Sequence, residues 1–178
     1  ALLPGIAAGN TVATLAVAED GGGWEAADVR LTATGTGGGW RLDGAKSYVL
    51  DGTTADLVVV LARGPQGLSF FTVAGDAAGL SRRALRTIDT TRRLARLTFA
   101  GVAAAPLGTA GGAGVPFART MLQAATMLAS EMVGGAERLR EDALAYAKMR
   151  YQFGRPIASF QSLKHKAADM LVDVELAK

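Results

Sequence analysis

The sequence predicts an α+β fold, an antiparallel β barrel or sandwich followed by part of an α-helical bundle. Two changes of rhythm predict it. Between residues 12 and 100, apolar side chains alternate with polar ones in short runs separated by glycine turns, the period of half-buried strands. After Pro116, apolar residues recur every three or four positions, the period of helices. A third observation bears on completeness. Two long apolar helical stripes need more neighbours than each other, so the helical part reads as half a bundle.

Each element follows from local chemistry. Residues 11–17 form a short apolar run that ends at Glu19, Asp20 and three glycines. Val29, Leu31 and Ala33 alternate with Arg30, Thr32 and Thr34, and Trp40, Leu42 and Gly44 alternate with Arg41 and Asp43. Between them, residues 35–39 read Gly-Thr-Gly-Gly-Gly, a hairpin loop whose glycines accept positive φ. Residues 57–62 read as a buried strand, 63–67 as a turn, 68–74 and 94–100 as further strands. Residues 109–114 form a glycine-rich joint. Met121, Ala125, Leu128, Met132, Gly135, Leu139, Ala143 and Tyr146 mark one helix face. A second helix starts near Ser159, an expected N-cap, with Phe160, Leu163, Ala167, Met170 and Val174 on its apolar stripe. The expected domains are 1–108, a β domain, and 109–178, an incomplete C-terminal helical bundle. The start at Ala1 without Met and a final helix running to Lys178 without a stop signal read as a piece of a longer protein.

Composition excludes several function classes. A net charge of +3, with no Lys/Arg block, argues against nucleic acid as a partner. The chain has no Cys, which excludes disulfide scaffolds, thiolate nucleophiles and Cys-ligated metals. A single His, His165, cannot build a His-cluster metal site. The longest apolar run falls far short of the roughly 20 residues that span a bilayer. No GxGxxG or GxxxxGK[ST] loop is present, so a dinucleotide would bind outside the doubly wound scheme. A cytoplasmic enzyme or binding protein is the expectation.

The most informative stretch is Arg150-Tyr151-Gln152-Phe153-Gly154-Arg155-Pro156-Ile157, followed by Phe160 and Gln161. It forms the corner between the two helices. Arg150 offers a planar fork for phosphate oxygens. Gln152 and Gln161 offer amides for a nucleotide edge, and Phe153 a flat apolar face. Ser159, Gln161 and Ser162 stand where a helix N-terminus has free N–H groups. Tyr48, in an expected strand over residues 47–52 beside a glycine turn, is a second aromatic able to stack on a ring. Glu19 and Asp20 are adjacent and so point to opposite faces of a strand, or serve as turn residues.

These residues carry a resemblance to the acyl-CoA dehydrogenase family, flavoproteins that introduce a double bond beside a thioester carbonyl. Residues 15–23 resemble the family's Thr-Glu-Pro-x-Ala-Gly-Ser-Asp loop, residues 40–52 its segment ending Trp-Ile-Thr-Asn-Gly, and residues 146–170 its Arg-x-x-Phe-Gly-x-Pro-Ile-x-x-Phe-Gln signature. The resemblance covers nearly the whole chain. It implies FAD as cofactor, with Arg150, Gln152 and Phe153 reaching the FAD of a neighbouring subunit and Gln161 meeting its adenosine part. Tyr48 would lie against the flavin ring, Val49 and Leu50 beside it, and Val17 and Ala18 would flank it from the loop. Trp24 stands where the family has a Ser near the thioester arm.

The same resemblance implies an acyl-CoA thioester as substrate, electron-transfer flavoprotein or a similar acceptor as partner, a homo- or hetero-oligomer, and a place in fatty-acid and lipid metabolism. No catalytic residue is assigned. The family's catalytic carboxylate is expected outside these residues, so the 178-residue segment is expected to be inactive by itself. Three departures matter, one of them the indole of Trp24 in place of that Ser. Ala18 and Leu50 replace threonines and remove hydroxyls near the ring. They leave open a non-catalytic partner subunit of a heteromeric dehydrogenase, or a β-domain scaffold or binding module.

Overall fold

The computed structural model describes residues 2–178. Ala1, the first residue of the expected β domain, lies outside the described residues. The chain divides into two compact units, one running to Phe117 and the other Ala118–Lys178.

The first unit opens with a one-turn helix, α1 (Leu3–Ala7), which the apolar rhythm did not announce. Seven strands follow: β1 (Ala13–Ala16), β2 (Thr32–Thr36), β3 (Gly39–Leu50), β4 (Leu57–Gly64), β5 (Gly67–Ala74), β6 (Leu80–Ala84) and β7 (Leu94–Leu107). Five of them close on themselves: β4 pairs with β2, β2 with β3, β3 with β7, β7 with β5, and β5 with β4 again. This ring is the barrel. β1 runs parallel on β4 from Ala13 against Leu57 to Ala16 against Val60, and β2 takes the same edge further on, Thr32 against Arg63. β6 and β5 divide one edge of β7 in the same manner. Closure leaves few free edges for another chain to pair with.

The inward-facing set is Leu31, Ala33, Leu42, Val49, Val58, Val60, Phe71, Val73, Leu97, Phe99 and Val102. Trp40 tilts onto Phe71 with ring centroids 5.2 Å apart. Aromatic packing of this kind adds to the burial of a fully enclosed Phe.

Several elements differ from the sequence reading, each for a local reason. The first hairpin is tighter than the glycine run implied, with Thr36 paired to Gly39 and only two residues between. β2 starts at Thr32, because residues 26–28 form a 3-10 turn, although Val29 and Leu31 are buried as expected. β3 is one long strand and not two short ones, kept in register with β7 by irregularities between Leu42 and Gly44 and between Lys46 and Val49. At the first of these Gly44 takes φ +134, and an added Cβ would stand 3.1 Å from the Leu31 backbone. β6, with two arginines in five residues, has no apolar alternation and is a strand only because β7 pairs with it.

The second unit holds most of α2 (Gly114–Met149), two short strands β8 (Tyr151–Gln152) and β9 (Arg155–Pro156), and α3 (Gln161–Ala177). Lys178 bonds both Glu137 on α2 and Glu175 on α3, at 2.8 and 2.9 Å, and so ties the two helices as an antiparallel pair. Ser159 is not the N-cap of α3. That position falls to Phe160, while the Ser159 hydroxyl donates to the Pro156 carbonyl inside a 3-10 turn. Large apolar side chains of both stripes stay exposed, among them Leu128, Met132 and Leu139 on α2 and Met170 on α3.

Phe71→Ala, which empties the centre of the barrel, is expected to cost about 3–5 kcal/mol of stability. Urea unfolding followed by tryptophan fluorescence measures it, since Trp40 rests on the same ring.

Candidate functional site

The sequence-chosen residues fall into two groups, one on each unit. On the first unit, Val17, Ala18, Tyr48, Val49 and Leu50 meet along one seam. Ser47 N–H donates to the Ala18 carbonyl at 2.9 Å, and Lys46 Nζ donates to the Val17 carbonyl at 2.8 Å. The loop is thereby laid against β3. Val17, Ala18 and Val49 are buried, while Tyr48 and Leu50 are about half exposed. Trp24 has an exposed indole on the loop that follows Gly23.

The irregularity between Lys46 and Val49 decides which way Tyr48 faces. Three steps on β3, from Lys46 to Val49, match two on β7, from Leu97 to Ala95. The extra residue on β3 forms a bulge. Leu42 and Lys46 are buried at even positions and Val49 at an odd one, so the bulge reverses the strand's parity. Tyr48 takes up the distortion with φ +59 and faces outward.

Charge holds the seam. Lys46 is fully buried, and its Nζ donates to Glu19 Oε1 at 2.9 Å as well as to Val17. The same Glu19 oxygen accepts the backbone N–H groups of Arg30 and Leu31 at 2.9 Å each. Burial opposes the charge on Glu19. The hydrogen bonds from Leu31, Lys46 and Arg30 outweigh it, leaving the carboxyl below its usual range. Burial also pulls the Lys46 ammonium down from its usual value, against the pull of Glu19. Asp20 looks elsewhere, as adjacent residues of an extended segment should. Arg96 grips it with Nε at 2.9 Å and Nη2 at 2.7 Å, and the Ser47 hydroxyl donates to it. Arg96 first, then Ser47, hold the Asp20 carboxyl well below the usual carboxylate range.

Sequence reasoning missed Lys46, Ser47 and Arg96. One signal was available: a Lys between Ala45 and Ser47 in a strand, in a chain whose adjacent Glu19 and Asp20 had no assigned partners. A cleft of about 480 Å³ opens beside this network, lined in part by Glu19, Asp20, Asp28, Arg30 and Ala45.

On the second unit, the corner is a miniature hairpin. Tyr151 pairs with Pro156 and Gln152 with Arg155, leaving Phe153 and Gly154 as the two turn residues. Their φ values are +53 and +75. Positive φ at both central positions is the signature of a type I′ turn, which favours Asn-Gly or Asp-Gly. Gly154 is suited to it; Phe153 is not. Its ring is 91% exposed and stands edge-on to Phe160, centroids 6.1 Å apart, while the Arg155 guanidinium lies 4.2 Å over the Phe160 ring. Arg155 is a further residue to which the sequence reading gave no role. The corner is fixed at its base by Arg150 N–H on the Tyr146 carbonyl and Ile157 N–H on the Arg150 carbonyl, both 2.8 Å. Arg150, Gln152 and Gln161 have exposed side chains.

Comparison with known proteins adds the following. Residues 14–102 match the model of the acyl-CoA dehydrogenase middle domain, and residues 112–178 that of the acyl-CoA dehydrogenase C-terminal domain.

The chain belongs to the acyl-CoA dehydrogenase family.

It is 40% identical over 131 residues to the acyl-CoA dehydrogenase IpdE2 of Mycobacterium tuberculosis, covering 74% of this chain and 36% of that protein. An acyl-CoA dehydrogenase of Bacillus subtilis is 32% identical, covering 99% of this chain and 49% of the other. The crystal structure of glutaryl-CoA dehydrogenase from Mycobacterium smegmatis superimposes with a TM-score of 0.90 at 30% identity, covering 98% of this chain and 46% of that one. The chain thus spans between about a third and a half of these relatives' lengths. Among the described residues, no helix is long and apolar enough to cross a membrane, and no cluster of three metal-ligating side chains occurs.

FAD is the family's cofactor. The donor chemistry present fits it. The exposed fork of Arg150 suits a pyrophosphate, the amides of Gln152 and Gln161 suit a nucleotide, and two outward-held aromatics suit ring faces.

The ion pairs give a pH dependence. Glu19 and Asp20 both have folded-state pKa values below their ordinary 4.5 and 3.8, so they stabilise the fold fully above those values. That stabilisation is lost as pH falls through the depressed folded values. Thermal melts taken from pH 6 down to about pH 2 are expected to stay level until the pH nears 4.5 and to fall below it, and Asp20→Asn to flatten the fall below pH 3.8.

Proposed function

We propose that the protein to which these 178 residues belong is an FAD-dependent acyl-CoA dehydrogenase. It oxidises an acyl-CoA thioester to its α,β-unsaturated form and passes electrons to an electron-transfer flavoprotein or a similar acceptor. When bound, FAD supplies the hydride acceptor. The chain's own residues bind and orient. Arg150 holds phosphate oxygens, Gln152 offers its amide to the nucleotide, Gln161 meets the adenosine part, and Phe153 lies against the cofactor. Tyr48, Val49 and Leu50 border the flavin ring from β3, and Val17 and Ala18 border it from the loop. Trp24 borders the thioester arm. None of these residues is assigned the role of base, which falls to a carboxylate of the complete protein.

One observation carries this reading. Among the described residues, three that are not glycine have left-handed backbone: Tyr48, Asp51 and Phe153. Two of them are the aromatics assigned to the cofactor. Left-handed backbone at a bulky residue costs roughly 1–2 kcal/mol and persists where surroundings enforce it, as at ligand sites. Neither position calls for an aromatic to fill a core, since Tyr48 is about half exposed and Phe153 almost fully so.

The family match at both domains supports the reading further. Residues 1–108 are proposed as the β domain and 109–178 as part of the helical bundle. The exposed apolar stripes of α2 and α3 support assembly as a homo- or hetero-oligomer. A cytoplasmic location is part of this proposal.

A second reading, a flavin-binding but non-catalytic subunit of a mixed assembly, is favoured by Ala18 and Leu50, which offer no hydroxyl beside the ring. Adding acyl-CoA thioesters to the yellow full-length protein separates the two. Bleaching of the visible absorption supports the dehydrogenase, and an unchanged spectrum supports the partner subunit.

Two substitutions test the cofactor site. Arg150→Ala in the full-length protein is expected to lower FAD occupancy after gel filtration by about tenfold, the loss of one charge-assisted contact. Equal retention would remove the assignment. Phe153→Asn is expected to raise thermal stability, by about 1 kcal/mol from relieved backbone strain, while weakening flavin retention. A variant that is less stable than the parent would contradict the strain argument.

A further inference from the structure

We infer that Lys46 and Arg96 form a clasp that positions residues 17–20 and the Tyr48 bulge relative to each other, so that both borders of the ring site move as one body. This rests on the FAD reading given above and extends it to residues that do not touch the cofactor.

Each residue of the loop is tied to the barrel by a separate bond. The Val17 carbonyl accepts from Lys46 and the Ala18 carbonyl from Ser47 N–H. Glu19 accepts from Lys46, Arg30 and Leu31. Asp20 accepts from Ser47 and from two nitrogens of Arg96. Arg96 stands on β7 one residue from Ala95 and one from Leu97, the pairing partners of Val49 and Lys46. The clasp therefore joins the loop to both strands at the step where the bulge forms.

A fully buried ammonium is a costly way to fasten a loop. Apolar side chains of similar volume commonly stabilise as well or better. What apolar packing lacks is direction. Two hydrogen bonds from one Nζ fix where the Val17 carbonyl and the Glu19 carboxylate lie, and so fix the loop's register on β3. Lys46 and Arg96 are thus positioning residues for the ring border.

The test uses full-length protein loaded with FAD. The double variant Lys46→Met with Glu19→Gln removes the buried pair, and Arg96→Gln releases Asp20 through a partly exposed side chain outside the hydrophobic core. Flavin content, far-ultraviolet circular dichroism, visible circular dichroism of the bound flavin and thioester-driven bleaching are read for each.

Both variants are expected to keep flavin within about threefold of wild type, since the corner on the second unit is untouched. The visible dichroic band is expected to change at least about twofold in intensity, and bleaching to slow by about tenfold or more with little change in KM. A folded, flavin-loaded variant with the wild-type visible band and bleaching rate overturns the clasp. If the double variant does not fold, Arg96→Gln alone decides: an unaltered band overturns the inference and an altered one supports it. A wild-type protein without flavin overturns the FAD reading, and the clasp with it, before any variant is made.

Discussion

A β-strand gives alternate residues to opposite faces, and β3 cannot meet its obligations under that rule. Its first half must bury Leu42, and its second half must bury Val49 while turning Tyr48 outward. Those positions have opposite parity. A single extra residue between Lys46 and Val49 resolves the conflict, and its consequences spread through the first unit. The bulge puts Tyr48 in a left-handed conformation, leaves Lys46 facing inward, and brings Ser47 beside Ala18 and Asp20.

An inward-facing lysine demands a partner. Glu19 answers from the loop, held in turn by two backbone N–H groups at the start of the segment leading into β2. Asp20, the neighbouring carboxylate, faces the other way and meets Arg96. The adjacent acidic residues are thus two separate anchors, and neither has the geometry of a pair of carboxylates acting on one substrate. The loop they hold is the one whose residues the family resemblance assigns to the ring border.

The corner between α2 and α3 solves a related problem with different means. A two-residue turn reverses the chain compactly, but its backbone signs favour Asn or Gly in the place that Phe153 occupies. The strain is retained along with a fully displayed ring. Arg155 and Phe160 stack behind it, giving the ring an ordered base on a short segment. In each unit an aromatic residue stands outside the relaxed backbone regions at a place proposed for the cofactor.

The sequence by itself determined the class of fold, the change from strand to helix near Pro116, the buried faces of β4 and β5, and the motif-bearing corner. All of these are local, because periodicity and turn chemistry are carried by neighbouring residues. Tertiary structure decided what depends on partners distant in the chain. It made β6 a strand through β7, joined residues 40–44 and 47–52 into one β3, moved the start of α3 from Ser159 to Phe160 as cap, and gave Lys46, Ser47 and Arg96 their roles. No window of sequence contains both Asp20 and Arg96, 76 residues apart. Only closing the barrel brings them within hydrogen-bond reach, and only pairing against β7 reveals the extra residue that β3 carries between Lys46 and Val49.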